Sequence, residues 1–414
     1  MDMDFEIRPI ADTDEDWGRF WRVFATAFGE SPSQGHVAEW RGNFEFDRSL
    51  AVLDGERLVG TGGAYSMELT LPGLTTVPVG GLTGIGVLPT HRRRGILRAM
   101  IERHFQDVEA HGEPLSVLTA SESAIYGRFG YGTGAWSMDF EIDRGHGAFR
   151  DAPETPGQVR MLDAAEAEKV LPAFHDRARR AQPGELTRSP EVWSIYFRDQ
   201  EWHREGASEH FDVVYEEGPD RIDGWASYRI QTHWSPAGLP SHLVRVQRLY
   251  GLTPAARAAL WRYCLDIDLA GRIQLLARPV DEPLRWMLAD PRRLRVLGIF
   301  DDLWVRLLDL PVALAARRYT TEDRLVLDVV DRVRPRNHGR FALEGGSDGA
   351  SCQPTRDEPD LGLDVAALSA CYLGGVRFST LARAGRVHER TPGALRRADL
   401  LFSTDPVPWC TREF

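Results

Sequence analysis

The sequence predicts a mixed α/β protein built around several cores, with helices packed on sheets. Within residues 5–120 the pattern runs strand, helix, antiparallel strands, helix, strand, which describes helices layered on a sheet. The length of 414 residues, at about 150 residues per domain, gives two or three domains. Part of the pattern also recurs near residue 250. Hydrophobic residues make up 43% and charged residues 27%, an ordinary globular mixture, so the chain is expected to fold throughout.

Residues 5–10 read as a strand. Trp17, Phe20, Trp21, Phe24 and Phe28 then recur at three- and four-residue steps, as on one face of a helix. Residues 49–53, a turn at Asp54 and Gly55, residues 58–71, a turn at Pro72 and Gly73, and residues 76–88 form a meander of antiparallel strands. The period then changes. Leu97, Met100, Ile101, Phe105 and Val108 follow the 3.6-residue spacing of a helix over residues 94–108, ending near His111 and Gly112. Residues 115–120 form one more strand. Two prolines and two acids mark residues 151–157 as a linker.

Residues 243–252 read as a strand that passes through Thr253 and Pro254 into a helix over residues 255–263. This echo of the earlier strand, Pro89 and helix is either a degenerate internal repeat or a chance match of a common motif. It lacks the Arg-Arg-Arg-Gly segment of the first copy. From about Leu307 a third unit follows: short strands at residues 325–330, 341–344 and 351–354, then helices at residues 365–373 and 395–402.

A formal net charge of −11 disfavours nucleic acid as a partner and favours cationic ligands. The acidic opening MDMDFEIRPIADTDEDW lacks the regions of a secretory signal, and no apolar run reaches membrane-spanning length. A cytoplasmic protein without a membrane partner is expected. Cys264, Cys352, Cys371 and Cys410 form no CxxC pair, and the histidines form no HExxH or Cys/His cluster. Reduced, buried thiols and no bound metal are therefore expected.

The most informative segment is IGVLPTHRRRGIL, residues 85–97, where a strand ends at Pro89 and a helix begins around Arg93. Free N–H groups and the helix dipole at such a start both point at negative charge. Gly95, placed inside the first turn, lets a bulky group approach the backbone, and Arg92, Arg93 and Arg94 add cations. A pyrophosphate suits that arrangement better than a neutral ligand. Three arginines in an isolated loop would often be merely solvated; the strand before, the amphipathic helix after and the strand at Leu115 separate this loop from that case. The element, over residues 87–95, resembles the acetyl-CoA loop of the GNAT superfamily in its R-x-x-G core, Arg92 to Gly95. Leu97 departs from it, standing where the family usually has a small residue.

The resemblance narrows when PTHRRRGILRAM (residues 89–100) is read with ASESAIYGRFGYG (residues 120–132), the region of Trp304, YLGG at residues 372–375 and the final Glu413 and Phe414. Together these are similar to the Eis-type (enhanced intracellular survival) aminoglycoside N-acetyltransferases. That resemblance implies an acetyl-CoA-binding GNAT domain over residues 1–150 and a second GNAT-like domain without the coenzyme loop over residues 151–303. It implies a sterol carrier protein-like domain over residues 304–414, whose C-terminus completes the active site. It also implies a homohexamer and acetylation of small polycationic aminoglycosides at several amines, the chemistry of antibiotic resistance. Ile85, Gly86, Val87, Arg92, Arg93, Arg94, Gly95, Ile96 and Ser121 are then expected to hold acetyl-CoA.

Acetyl transfer to an amine needs a neutral nucleophile, stabilisation of the tetrahedral oxyanion and a proton donor for the leaving thiolate. By the resemblance, Tyr126 is the general acid. With a tyrosine near pKa 10 and a thiol near 8.5, full transfer is uphill by roughly 2 kcal/mol, so the hydroxyl acts largely by hydrogen bonding. The carboxylate of Phe414 is the implied base. It is weak, but an amine of pKa near 8 needs only about 1.4 kcal/mol to become neutral at pH 7. A last residue ordinarily frays, yet Trp409, Cys410 and Phe414 are too apolar for a solvated tail. Backbone N–H groups at the end of the strand carrying Thr83 are the expected oxyanion donors.

The substrate cleft is expected to be lined by Phe28, Glu30, Trp40, Thr83, Gly84, Asp290 and Glu413. Carboxylates would hold ammonium groups and aromatic faces would offer cation–π contacts. Gly84 stands where the family often has a bulky aromatic, which implies a wider pocket and a different regiochemistry. Two rival functions remain, lysine acetylation on peptides or proteins and, in another class, lipid or sterol binding by the third unit.

Overall fold

The structure is a computed structural model that describes residues 5–31, 34–151, 153–218, 221–411 and 414. In chain order its elements are β1 (Glu6–Arg8), α1 (Asp14–Phe28), α2 (Gln34–Asn43), β2 (Leu50–Asp54), β3 (Arg57–Thr70), β4 (Thr76–Val87), α3 (Ile96–Ala110), β5 (Leu115–Leu118), α4 (Ser123–Tyr126) and β6 (Gly132–Thr133). There follow β7 (Trp136–Asp143), β8 (Gln158–Met161), α5 (Ala164–Arg179), α6 (Pro190–Arg198), β9 (Phe211–Glu216), β10 (Ile222–Gln231), β11 (His242–Gly251), α7 (Pro254–Asp266), β12 (Ala270–Pro279), α8 (Leu284–Met287) and β13 (Arg295–Asp301). The remainder is β14 (Trp304–Leu307), α9 (Leu310–Ala316), β15 (Asp323–Val330), β16 (Gly339–Gly345), β17 (Ala350–Pro354), β18 (Leu361–Asp364), α10 (Val365–Cys371), α11 (Phe378–Arg383), β19 (Val387–Glu389) and α12 (Ala394–Phe402). The fold class is mixed α/β, as the sequence predicts.

Two compact units emerge. The first takes residues 1–135, 301–408 and 412–414, the second residues 136–300 and 409–411.

In the first unit a seven-stranded sheet runs β1-β2-β3-β4-β5-β14-β6. β4 and β5 are parallel, so α3 is the crossover between them. α1 starts at Thr13, whose hydroxyl accepts from the Asp16 N–H, and its aromatic face buries Trp17, Phe20 and Trp21 against β2 and β3. A buried ion pair ties the β2 edge to the turn after α3: Arg48 donates to both carboxylate oxygens of Glu113 at 2.7 Å. The same unit holds a five-stranded sheet, β17-β16-β15-β18-β19. α10 lies directly on β6, and a Cβ on Gly132 would stand 2.2 Å from the Ala366 carbonyl oxygen and 2.4 Å from the Ala370 nitrogen. Beside it Arg306 of β14 pairs with Asp331 at 2.7 Å, both fully buried.

In the second unit a seven-stranded sheet runs β13-β7-β12-β11-β10-β9-β8. β11 and β12 are parallel and joined by α7, so the echo near residue 250 is a second strand–helix–strand crossover. Residues 153–157 carry no regular element and lie within this unit. Trp409 and Cys410 are buried in this unit. The Trp409 indole donates to the Ala277 carbonyl at 2.7 Å and the Thr411 N–H to Glu185 at 2.8 Å. All four cysteines are buried, and none is in a disulfide. Among the described residues no helix is long and apolar enough to cross a membrane.

Substituting Gly132→Ala forces α10 off β6, because the clash is with backbone that cannot rotate away. The expected loss is about 1–3 kcal/mol, read as a lower urea midpoint with unchanged slope.

Candidate active site

The site is set by a break in the first sheet. On one side, β3 and β4 pair Thr61 with Gly86 and Gly63 with Thr83, so Gly84 and Ile85 together oppose the single Gly62. This is a β-bulge, and it bends the strand that carries it. Gly84 has φ +63°, a left-handed value that side chains adopt only with strain, and Thr61 Oγ1 donates to its carbonyl at 3.0 Å. The bulge therefore supplies its own reason for glycine at this position. On the other side, the ladder between β4 and β5 has three pairs and ends at Gly81 and Val117. Beyond it, among the described residues, no strand lies along that edge of β4, and its backbone groups face the gap.

Beyond β4, a short turn (Pro89–His91) leads to the arginines. Arg93 has φ +63° and Gly95 φ +85°, two successive departures that aim the backbone before α3 begins. Here the sequence reading needs correction. Gly95 is the cap outside α3, which starts at Ile96, rather than a residue of the first turn. A glycine preceding the turn can reach a left-handed φ that the helix interior would forbid. No side chain caps this helix start, so its first N–H groups are left for another partner. Arg92 donates to the Ala27 carbonyl at 2.8 Å and fixes the loop to the end of α1. Arg93 is exposed; Arg94 lies 3.7 Å from Asp54 and 5.2 Å from the Phe5 ring centroid. Ile96 is buried, Ile85, Gly86 and Val87 are the last residues of β4, and Ser121 is exposed in the turn after β5. An uncapped helix start, a glycine cap and flanking arginines fit a diphosphate.

Tyr126 ends α4 and is 8% exposed, packed with Leu82, Phe105, Leu118 and Trp304. α4 is held in place through Asp301, which accepts from the Ser123 hydroxyl at 2.6 Å and from the Trp304 indole at 2.9 Å. Among the described residues no hydrogen bond reaches the Tyr126 hydroxyl. Burial, with Glu122 adding to it, pushes this phenol up to about 12, so it keeps its proton. Phe414 is half-buried, and its backbone oxygen accepts from Thr119 Oγ1, just past the end of β5, at 3.5 Å.

Phe28 and Trp40 belong to one aromatic run: Phe28 packs 4.7 Å from Phe24, Phe24 5.3 Å from Trp21, and Trp21 5.9 Å from Trp40. Phe28, at the end of α1, is 43% exposed, and Glu30 beyond it is exposed. Thr83 is buried beside the bulge. Asp290 belongs to the second unit, where it accepts from the Arg292 N–H at 3.1 Å and pairs with Arg293 at 3.2 Å. Glu413 lies outside the described residues.

The sequence reading missed a buried polar chain beneath Tyr126. His104 Nε2 and Ser116 Oγ share a hydrogen bond of 2.7 Å, as do Ser116 Oγ and the Tyr131 hydroxyl, and the Tyr131 ring meets Tyr126 edge-on at 5.9 Å. Its signal was available only in part. His104 and Ser116 read as an apolar-face histidine and a strand serine until the crossover aligns them. Complete burial, with Arg48 nearby, pushes His104 down to about 3, so its ring is neutral. In the second unit a cavity of about 610 Å³ is lined by Phe149, Tyr228, Ala258, Arg262 and Tyr263 and contains none of the expected site residues.

A strand that bulges and parts from its neighbour, an arginine–glycine turn and an uncapped helix define an N-acetyltransferase of the GNAT class, whose members use acetyl-CoA. Residues 6–134 and 184–307 each match an acetyltransferase (GNAT) domain family, and residues 310–411 match the sterol carrier protein domain family. The chain is 41% identical to an uncharacterized N-acetyltransferase of Streptomyces coelicolor, covering 97% of this chain and 98% of that one. It is 33% identical to the N-acetyltransferase Eis of Mycobacterium tuberculosis over 95% of this chain and 96% of that one. The crystal structure of Eis1 from Mycobacterium abscessus superposes with a TM-score of 0.86 at 36% identity, covering 99% of this chain and 100% of that one. The chain belongs to the Eis family of N-acetyltransferases.

The buried histidine makes one property of this unit pH-dependent. An unfolded chain takes up a proton on His104 near pH 6.5, whereas the folded chain refuses it down to about pH 3. Its contribution is therefore complete above the unfolded pKa and is lost as the pH falls toward 3. His104→Gln is expected to flatten the fall of unfolding free energy between about pH 6.5 and pH 4; an unchanged slope in urea titrations across that range would contradict the assignment.

Proposed function

We propose that the protein acetylates amines of small polycationic, aminoglycoside-like substrates, at more than one position, by direct transfer from acetyl-CoA. The observation that carries this reading is the fork between β4 and β5, with Tyr126 in the cluster beside it and the Phe414 oxygen at Thr119. When bound, acetyl-CoA supplies an acetyl thioester. Gly86, Val87, Arg92, Arg93, Arg94, Gly95 and Ile96, with Ile85 and Ser121, would hold it, the diphosphate on the uncapped start of α3.

The remaining work belongs to the chain. The Phe414 carboxylate accepts the proton that the attacking amine gives up. Backbone N–H groups on the free edge of β4 face developing negative charge. Tyr126 presents a protonated hydroxyl to the departing sulfur. With its phenol near 12 and a thiol near 8.5, full proton transfer is uphill by about 5 kcal/mol, so Tyr126 contributes a hydrogen bond rather than a free proton. Phe28, Trp40 and the exposed Glu30 supply aromatic and acidic surface for ammonium groups, joined in this reading by Thr83, Gly84, Asp290 and Glu413.

The same reading divides the chain into a coenzyme-binding domain (residues 1–150), a second GNAT-like domain without coenzyme (residues 151–303) and a sterol carrier-like domain (residues 304–414). In the second domain α7 is closed by its own Thr253, whose hydroxyl accepts from the Ala256 N–H at 3.1 Å, which supports its lack of coenzyme. A cytoplasmic homohexamer that confers aminoglycoside resistance is the corresponding whole-protein proposal.

Thiol release from acetyl-CoA with a multi-amine aminoglycoside tests the reading in three chains of equal oligomeric size: intact, lacking Phe414, and Tyr126→Phe. Turnover by the intact chain is expected to fall by about 10²–10⁴-fold in each variant, with acetyl-CoA affinity unchanged. Turnover that survives removal of Phe414 rules out the terminal carboxylate as base; acetylation of peptide lysines but not of the aminoglycoside moves the acceptor to proteins.

A further inference from the structure

One residue occupies the point where β4 and β5 part. The last ladder pair is Gly81 with Val117. A Cβ built on Gly81 would stand 3.0 Å from Cε2 and 3.3 Å from Cδ2 of Phe414, so the ring lies over the bare backbone of that glycine. Two residues beyond Val117, Thr119 Oγ1 donates to the Phe414 oxygen at 3.5 Å. We infer that Gly81 and Thr119 form the seat of Phe414 and are positioning residues for acetyl transfer; this rests on the reading of Phe414 as the base.

The two contacts fix different freedoms. A ring resting on a flat strand sets how far the terminal residue enters the fork, and only a residue without a side chain leaves that surface clear. A methyl on Gly81 would also stand 2.0 Å from Met67 Cε. Met67 has a flexible end and can swing away, but the ring of Phe414 is rigid and must lift. The Thr119 hydroxyl fixes the rotation of the oxygens about the last Cα–C bond. Its 3.5 Å reach is long, as such contacts often are before substrate closes the site. An unanchored terminus samples many orientations, and a catalytic group displaced by about 1 Å loses up to about a hundredfold in rate. The seat therefore does for the base what packing does for a side chain.

The test uses the full-length protein and two readouts. Carboxypeptidase A releases phenylalanine from a terminus that leaves its seat, so its rate on native protein reports occupancy without reference to catalysis. Thr119→Val and Gly81→Ala are expected to speed release about fivefold to tenfold, the worth of one hydrogen bond or one lost contact. They are expected to lower kcat about tenfold or more with the KM for acetyl-CoA unchanged, and Thr119→Ser should restore both. Release at the wild-type rate from a folded Thr119→Val protein overturns the seat, even where removal of Phe414 abolishes turnover and so upholds the base. Faster release with unchanged kcat establishes the seat but overturns its part in catalysis, while removal of Phe414 decides separately whether its carboxylate is the base. Thr119→Val settles the question if Gly81→Ala fails to fold.

Discussion

A parallel ladder three residue pairs long decides what the first unit can do. Continued further, β4 and β5 would close on each other and leave a sheet with a smooth interior. Instead the bulge at Gly84 and Ile85 turns β4 away after Gly81, and the opened edge carries backbone donors that, among the described residues, no strand satisfies. The arginine turn follows the far end of β4, Tyr126 follows the far end of β5, and Phe414 lies where the two strands separate. A buried polar backbone edge is costly to leave unpaired, so a sheet that keeps one open has a use for it.

The two crossovers show how little separates a helix start left open from one closed by its own chain. α3 and α7 each join two parallel strands at the centre of a seven-stranded sheet. α7 begins with Thr253 and Pro254: the threonine satisfies one of the first N–H groups and the proline has none to offer. α3 begins with a left-handed glycine and has no side-chain cap. The first start is closed by a side chain of the same chain, and the second is not. Charge follows the same division, since three arginines precede α3 whereas Gly251, Leu252 and Thr253 precede α7.

Most of this was legible in the sequence because it is local. Aromatic spacing announces α1, the period change announces α3, and RRRG before an amphipathic helix announces the loop. The echo at residues 243–263 was visible for the same reason, although only the parallel pairing of β11 and β12 distinguishes a repeated crossover from a chance likeness. What could not be read depends on partners distant in sequence. α2 has little amphipathic pattern and passed unnoticed. The relay from His104 to Tyr131 needs the crossover to bring helix and strand together, and Asp301 steadies α4 from 178 residues away along the chain. Gly84 illustrates a subtler limit: composition shows that the position is small, but only the bulge shows that its φ excludes a side chain.

The place of β14 has a consequence for how the protein is made. This strand lies between β5 and β6, yet the chain reaches it only at Trp304, after residues 136–300 of the second unit have been translated. β6 ends at Thr133, so the 170 residues from 134 to 303 lie between the two. At about 5–20 residues per second the ribosome needs roughly ten to thirty seconds to supply the missing strand. Throughout that interval the apolar edge of Leu115–Leu118 has no partner, and such an edge invites pairing with another nascent chain. The acetyltransferase sheet is therefore the first to begin emerging and among the last to close, and its yield in a cell depends on what shields that edge in the meantime.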